Sequence, residues 1–190
     1  LPAYATIILI ATSAGAMLDT VVSRCAEIAL QLVPTGEIVA ALEHPEAQSV
    51  AALAGGRPGW AITALNDPDW RARQGEAIES LEAWLRMSKG DRLVEAYQRG
   101  DRFMRERRQT LGDLDQLQLL WRDIVLSSAQ LPQYAFNPAR AERMIQRSTA
   151  DCSDWHRALA ATQQCIKDLS GNIRPRLAMQ AMVNQWPTLS

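Results

Sequence analysis

The residues best equipped for chemistry sit in one tripeptide, Ser23-Arg24-Cys25. A guanidinium stays charged at physiological pH and carries a rigid fork of donors. It can therefore grip a phosphate, or stabilise charge that develops during phosphoryl transfer. The plain alternative is a cation at the end of a short helix, where it complements the negative end of the dipole for about 0.3–1 kcal/mol. Thr12 and Ser13 lie just past an apolar run. At the C-terminal edge of an open α/β sheet, hydroxyls can orient water or phosphate; equally, they can cap the next turn. Other candidates are weaker. His44 and His156 stand alone, as helix-surface histidines do, and no Cys or second His is spaced to complete a metal set. The acids are scattered along helices, with no isolated pair of the kind acid–base work needs. Arg99 to Arg108 form a basic run, RGDRFMRERR. It reads as a solvated helix face. Contact with DNA or a sister subunit is the alternative, since phosphate contacts need only clustered Arg and Lys.

Arg24 is positioned by the stretch from Ala5 to Pro34. Thr6-Ile7-Ile8-Leu9-Ile10 is a continuous run of β-formers, the pattern of a strand buried on both faces. A small-residue loop, Ala11 to Gly15, leads into a short helix, Ala16 to Val22. A second apolar run, Ile28 to Val33, is stopped by Pro34. Together these make one βαβ unit. A central strand needs parallel neighbours reached by long crossovers. The one candidate neighbour here is Glu27 to Val33. Residues 1–34 are thus expected to be the C-terminal part of a larger α/β core whose front lies outside this sequence.

After Pro34 the strand signals give way to helices. Thr35 is placed to cap a helix that ends near His44. Pro45 suits the first turn of the next, which carries Val50, Leu53 and Ala54 into Gly55-Gly56. Pro58 opens a third, with Trp60, Ile62 and Leu65. Asn66-Asp67-Pro68-Asp69 is a turn and cap signal that sets a boundary. Five or six longer helices follow. Their apolar stripes are Ile78, Leu81, Trp84 and Leu85; Leu93, Val94, Tyr97 and Met104; Leu114, Leu117, Trp121, Ile124 and Val125. Asn137-Pro138 restarts a helix through Ala141, Met144 and Ile145. Trp155, Leu159, Thr162, Ile166 and Leu169 mark another, and Gly171-Asn172 stops it. The last carries Leu177, Ala181 and Trp186.

The chain has 190 residues, enough for one large domain or two small ones, and a formal net charge of −1, so no global field points to nucleic acid or membrane. Its three cysteines, Cys25, Cys152 and Cys165, are odd in number, widely spaced and outside any CxxC pair. That argues against a zinc site or a disulfide framework and for reduced cytosolic thiols. No apolar run approaches the roughly 20 residues a membrane helix needs. The first residues lack the basic n-region of a signal peptide.

The strand ending in Ala11-Thr12, the Leu18-Asp19-Thr20 helix, Ser23-Arg24-Cys25 and the run ending at Pro34 together resemble the clamp-loader branch of the AAA+ ATPases. Within that branch the likeness is to the delta-prime-type subunits of bacterial DNA polymerase III. Downstream, Gly55-Gly56-Arg57-Pro58-Gly59 resembles that family's GGxPG segment. Leu119-Leu120-Trp121-Arg122-Asp123 resembles its WYRDLL helix. Asn172-Ile173-Arg174-Pro175-Arg176-Leu177-Ala178 resembles its closing NxNPRLALE segment, with Arg174 for Asn and Gln180 for Glu. The loop before Arg24 is one residue shorter than the family's, and Asp19 stands where Pro is common. The resemblance covers nearly the whole chain.

It implies a mainly α chain: the tail of an AAA+ α/β core (1–34), a three-helix lid (35–67) and an all-α helical collar (68–190) that packs with sister collars. It implies that Arg24, within the motif of Ser23 and Cys25, is an arginine finger acting in trans on ATP held by a neighbouring subunit. Thr12 and Ser13 would be the nucleotide-sensor region. Gly59 falls where an ATP-binding lid offers an arginine, which implies a subunit that donates a finger without a catalytic ATP of its own. No cofactor is implied in this stretch. The family's phosphate-binding loop, and in many members a zinc module, precede it. The implied partners are gamma/tau and delta clamp-loader subunits, the sliding clamp and, through the assembled loader, primed DNA. No turnover is implied for this chain alone. Two other readings are a gamma/tau-type ATP-binding subunit and a stand-alone helical adaptor.

Overall fold

The structure is a computed structural model that describes residues 6–11, 14–171 and 173–188. The chain divides into two compact units, Leu1–Gln31 and Leu32–Ser190. Ten α-helices are present among the described residues, and no strand. A mainly α chain is thus what the residues build.

The first unit holds a single 3₁₀ turn, Ala14–Ala16, and one short helix, α1 (Asp19–Val22). The two expected strands, Thr6 to Ile10 and Glu27 to Val33, carry no regular secondary structure. The reason is physical: β-propensity describes how side chains fit a pleated, half-buried surface, and a strand exists only when another backbone pairs with it. Neither segment has such a pairing among the described residues. Their apolar side chains consequently face outward, Ile8 at 83% and Ile10 at 96% exposure, Ile28 at 83% and Leu30 at 93%.

The second unit begins with three short helices, α2 (Thr35–Leu42), α3 (Ala47–Ala54) and α4 (Pro58–Asn66). Glu43, with φ 46°, ends α2 in the left-handed region, and Gly55, with φ 55°, ends α3 the same way. Pro58 occupies the first turn of α4, where its missing N–H costs nothing. Ile38, Val50, Ala51, Ala54, Ala61 and Ala64 form a small core of their own. Two details differ from the sequence reading. Pro34, not Thr35, is the N-cap of α2, and α3 starts at Ala47, after Pro45. Thr35 is drawn off by a distant partner: its hydroxyl donates to the Phe136 carbonyl at 3.1 Å.

Six helices follow: α5 (Pro68–Arg86), α6 (Lys89–Arg102), α7 (Arg107–Ser128), α8 (Pro138–Gln146), α9 (Cys152–Ser170) and α10 (Pro175–Asn184). The Asn66–Asp69 signal marks a real break, since α4 ends at Asn66 and α5 starts at Pro68. Asn137 caps α8 as expected, its side chain accepting from the Arg140 N–H at 3.1 Å. Asp151 and Asp154 close a reciprocal capping box on α9. The main core is centred on α7, where Leu114, Leu117, Trp121 and Ile124 are all buried. Four indoles meet there. Trp84 and Trp186 pack edge to face at 4.8 Å, and Trp121 lies 5.8 Å from Trp186 and 5.9 Å from Trp155.

The faces of α6 and α10 are not those the apolar periodicity suggested. Val94 and Tyr97 are exposed, as are Met104 just past α6 and Leu177 and Ala181 on α10; of the expected residues, Leu93 packs against the core and Trp186 is buried. The buried residues are Arg92, Ala96 and Gly100 on α6, and Ala178, Met179, Met182 and Val183 on α10. The two helices cross with backbone against backbone. A Cβ placed on Gly100 would lie 2.6 Å from the Arg176 Cα and 2.7 Å from its nitrogen. Such an approach selects small residues at the crossing and leaves larger apolar ones outside.

Arg92 is a buried cation, 3% exposed, with no carboxylate against it among the described residues. Its guanidinium donates to the carbonyls of Leu85, in the last turn of α5, and of Pro187, just past α10, the latter at 2.7 Å. Each helix end carries about half a negative charge. The α5 end therefore faces the guanidinium, while Pro187, three residues past α10, supplies an ordinary peptide carbonyl. Burial still pulls the Arg92 pKa below its ordinary value.

The thiols differ sharply. Cys25 and Cys152 are exposed, whereas Cys165 is buried and its pKa is pushed up to about 12, chiefly by that burial and then by Asp168. A buried thiol that stays protonated is a poor nucleophile. Titration of the native protein with an aromatic disulfide reagent is expected to modify Cys25 and Cys152 quickly, and Cys165 only after denaturant is added. Equal rates at all three would overturn this.

Candidate functional site

The turn that follows α1 is built from local hydrogen bonds. The Ser23 N–H donates to the Asp19 carbonyl at 2.9 Å, Arg24 to Val21 at 3.0 Å and Cys25 to Val22 at 3.1 Å. With only four helical residues, nearly every carbonyl of α1 is a terminal one that needs a partner. Thr20 finds two. Its carbonyl accepts the Arg24 Nη1 donor at 2.6 Å and the Ser23 hydroxyl at 3.3 Å. One arm of the guanidinium is therefore pinned, which fixes the direction of the rest of the fork. Ser23, Arg24 and Cys25 are all exposed. Arg24 forms no ion pair among the described residues. Such a group can meet an anion delivered from outside the chain. Thr12 and Ser13 lie outside the described residues.

The three short helices, α2 to α4, offer no comparable group among the described residues. Gly59 lies in the first turn of α4 with open space where a Cβ would stand. Arg57, the N-cap residue of α4, turns back: its guanidinium lies over the Trp60 ring at 4.7 Å, and its Nη1 is buried.

The helical signature residues have structural duties. Trp121 is fully buried in the indole cluster. Arg122 lies over the Phe136 ring at 4.6 Å and donates to the Tyr134 carbonyl at 3.3 Å. Asp123 is 4% exposed and accepts the Phe136 N–H at 3.0 Å and the Asn137 N–H at 2.8 Å. Burial pushes its carboxyl upward, and these two amides with Arg122 and Arg140 pull it part of the way back. Phe136, so held, presses on Gly56: a Cβ there would meet the phenyl ring at 2.6 Å, at a φ of 79°. In the closing segment, Arg176 pairs with Asp101 and lies over the Tyr97 ring at 4.5 Å. Asn172 lies outside the described residues.

Part of the basic run has contacts within the chain. Arg99 pairs with Glu95 at 2.7 Å and Asp113 at 3.0 Å and covers Trp84; Arg107 lies over Phe103 at 5.3 Å. Arg102, Arg105, Arg107 and Arg108 are exposed, the solvated face expected; Arg99 is half-buried. His44 serves its own turn, Nδ1 accepting the Glu46 N–H at 3.1 Å, and His156 is exposed. No group of three or more metal-ligating side chains occurs among the described residues. Among those residues no helix is long and apolar enough to cross a membrane.

The sequence reading missed Phe136 as the residue between the small core and the main helices, and Arg92 as a buried cation. The one advance signal for Phe136 was its place directly before the Asn137-Pro138 cap. Comparison with family models, with characterised proteins and with solved structures finds no match for this chain.

Proposed function

We propose that this chain is the lid and collar part, with the end of the AAA+ core, of a delta-prime-type clamp-loader subunit of DNA polymerase III. In this reading it lends Arg24 in trans to ATP bound by a neighbour and assembles through its collar with gamma/tau and delta subunits. The loader then opens a sliding clamp and places it on primed DNA in the cytoplasm. The observation that carries the reading is the Ser23-Arg24-Cys25 turn, with an exposed guanidinium, one arm anchored on the Thr20 carbonyl and no acid paired with it among the described residues. A group that serves another protein's phosphate must be held, charged and free of its own counter-ion. The lid supports the same reading, because Gly59 offers no side chain and Arg57 is turned inward. So do the exposed apolar side chains of residues 7–10 and 28–30, which are suited to cover by further sheet.

The test is reconstitution of the full-length chain with gamma/tau-type and delta-type subunits and a clamp. Arg24→Ala is expected to leave assembly intact and to cut DNA-stimulated ATP hydrolysis at the site it serves by about a thousandfold. Unchanged hydrolysis would end the finger assignment. Failure of the wild-type chain to bind either sister subunit would favour a stand-alone helical adaptor.

A further inference from the structure

We propose that the face built by α6 and α10 docks an acidic amphipathic segment of a partner protein, with its apolar side chains on the helix pair and its carboxylates on the arginines at one end. This inference does not depend on the clamp-loader reading. The two helices run antiparallel. Gly100, near the end of α6, meets Arg176 at the start of α10, and Arg92, near the start of α6, reaches Pro187 beyond the end of α10. Five large apolar side chains stand exposed on or beside this pair: Val94, Tyr97, Met104, Ile173 and Leu177, with Met104 at 79% and Leu177 at 58%. Exposed apolar side chains gathered in this way mark interaction surfaces. A cavity of about 290 Å³ opens between the helices, lined by Leu93, Val94, Tyr97 and Gln180. It has room for one leucine or aromatic side chain and presents no charge to it.

Charge decides what the partner must be. Where α6 ends and α7 and α10 begin, Arg102, Arg105, Arg107, Arg108, Arg174 and Arg176 are exposed, against two exposed carboxylates, Asp101 and Glu106. Both carboxylates are taken, Asp101 by Arg176 and Glu106 by Arg102 at 4.0 Å. The half-buried acids beside them, Glu95 and Asp113, both pair with Arg99. Arg105, Arg107, Arg108 and Arg174 are left with no carboxylate in an ion pair among the described residues. Asp101, held below its ordinary range by Arg176 first, also feels Arg105, so the basic run and the start of α10 share one surface.

Unpaired guanidiniums beside aliphatic side chains select a ligand with both characters. A duplex backbone presents phosphates and sugars and would leave Met104, Ile173 and Leu177 uncovered. A single strand uses aromatic platforms, and Tyr97, the exposed aromatic on this face, already has Arg176 over its ring at 4.5 Å. A lipid surface is flat, whereas the cavity is a socket for one side chain. An acidic amphipathic helix satisfies the whole face. Its apolar anchors, spaced i, i+3, i+4 and i+7, cover the helix pair and fill the cavity, and its carboxylates meet guanidiniums that can grip them with two parallel bonds.

Fluorescence anisotropy of a labelled probe, titrated with the full chain, tests this. The probe is a synthetic peptide of two heptads, each Leu-Glu-Glu-Leu-Leu-Glu-Glu; its counterparts carry Lys for Glu or Ser for Leu. The acidic amphipathic peptide is expected to bind with a Kd of about 10 μM, and each counterpart about tenfold more weakly or worse. Arg105→Glu combined with Arg174→Glu is expected to weaken binding by about tenfold or more, and Leu177→Ser by about tenfold. Arg143→Glu, an exposed charge reversal on α8, is expected to change nothing. All four positions are exposed, so the fold is preserved, and unchanged Tm values would verify that. No saturation up to about 1 mM, equal binding of the Lys peptide, or equal binding by wild type and the double variant overturns the proposal. Tighter binding of an oligothymidylate or of phosphatidylglycerol vesicles than of the acidic peptide also overturns it, and would assign the surface to nucleic acid or lipid.

Discussion

Gly100→Ala is expected to lower stability by about 3 kcal/mol, at the upper end for overpacking. For a chain of this size that corresponds to a fall in Tm of roughly 6–12 °C. On an ordinary exposed helix the same change would stabilise, since alanine is the better helix former by about 1 kcal/mol. The sign reverses because of what the new methyl meets. It would lie 2.6 Å and 2.7 Å from the Arg176 backbone and 3.0 Å from the Pro175 carbonyl carbon. These are main-chain atoms at the start of a helix, and no side-chain rotation relieves them. α10 must move away from α6 and draw Met179, Met182 and Val183 partly out of the core. Gly112→Ala is the matched control, for nothing lies within 4 Å of its Cβ position on α7. Thermal unfolding of the two variants decides the matter: equal Tm values would show that the α6–α10 crossing is looser than described.

Asp123→Asn is expected to cost about 2–4 kcal/mol although it changes almost no volume. The carboxylate accepts from two backbone amides, Phe136 and Asn137, one on each oxygen. An asparagine has one acceptor oxygen. Its NH₂ group would face the second amide donor to donor, in a place 4% exposed. Relief of the desolvated charge offsets part of the loss, because burial already pushes the Asp123 carboxyl upward. The effect should also travel. Phe136 is the residue whose carbonyl receives the Thr35 hydroxyl and whose ring rests on Gly56. Amide hydrogen exchange at Phe136, Asn137 and the first turn of α2 is expected to accelerate together. Faster exchange confined to residues 136 and 137 would mean that α2 is held by its own core alone.

How much of this was legible in the sequence depended on the range of the interaction concerned. α7 and α9 were plain, because a helix that buries a wide stripe advertises it every three to four residues. The Asn137 cap and the Pro58 start were plain because the partner lies within four residues. α6 was misread, since Val94 and Tyr97 look like core residues beside Ala96 and Gly100. What decides burial there is how closely α10 approaches, and hydrophobicity does not record that. Thr35 was misread for the same reason: its hydroxyl bonds Phe136, 101 residues away. Strand character at Thr6–Ile10 was read from composition, but a strand requires a second backbone. At the candidate site, Arg24 was legible as a motif residue. Its tether to Thr20 was not, because it follows from how short α1 is.

Arg92 gives one end of the helical body an unusual chemical constancy. The exposed pair of Arg71 with Glu46, by contrast, depends on a carboxylate that loses its charge in acid, and Arg71 holds that carboxyl below its ordinary range. Arg92 leans on peptide carbonyls, which have nothing to titrate. Acid strong enough to protonate Glu46, below the ordinary carboxylate range, should therefore break that pair and leave the Arg92 contacts to Leu85 and Pro187 unchanged.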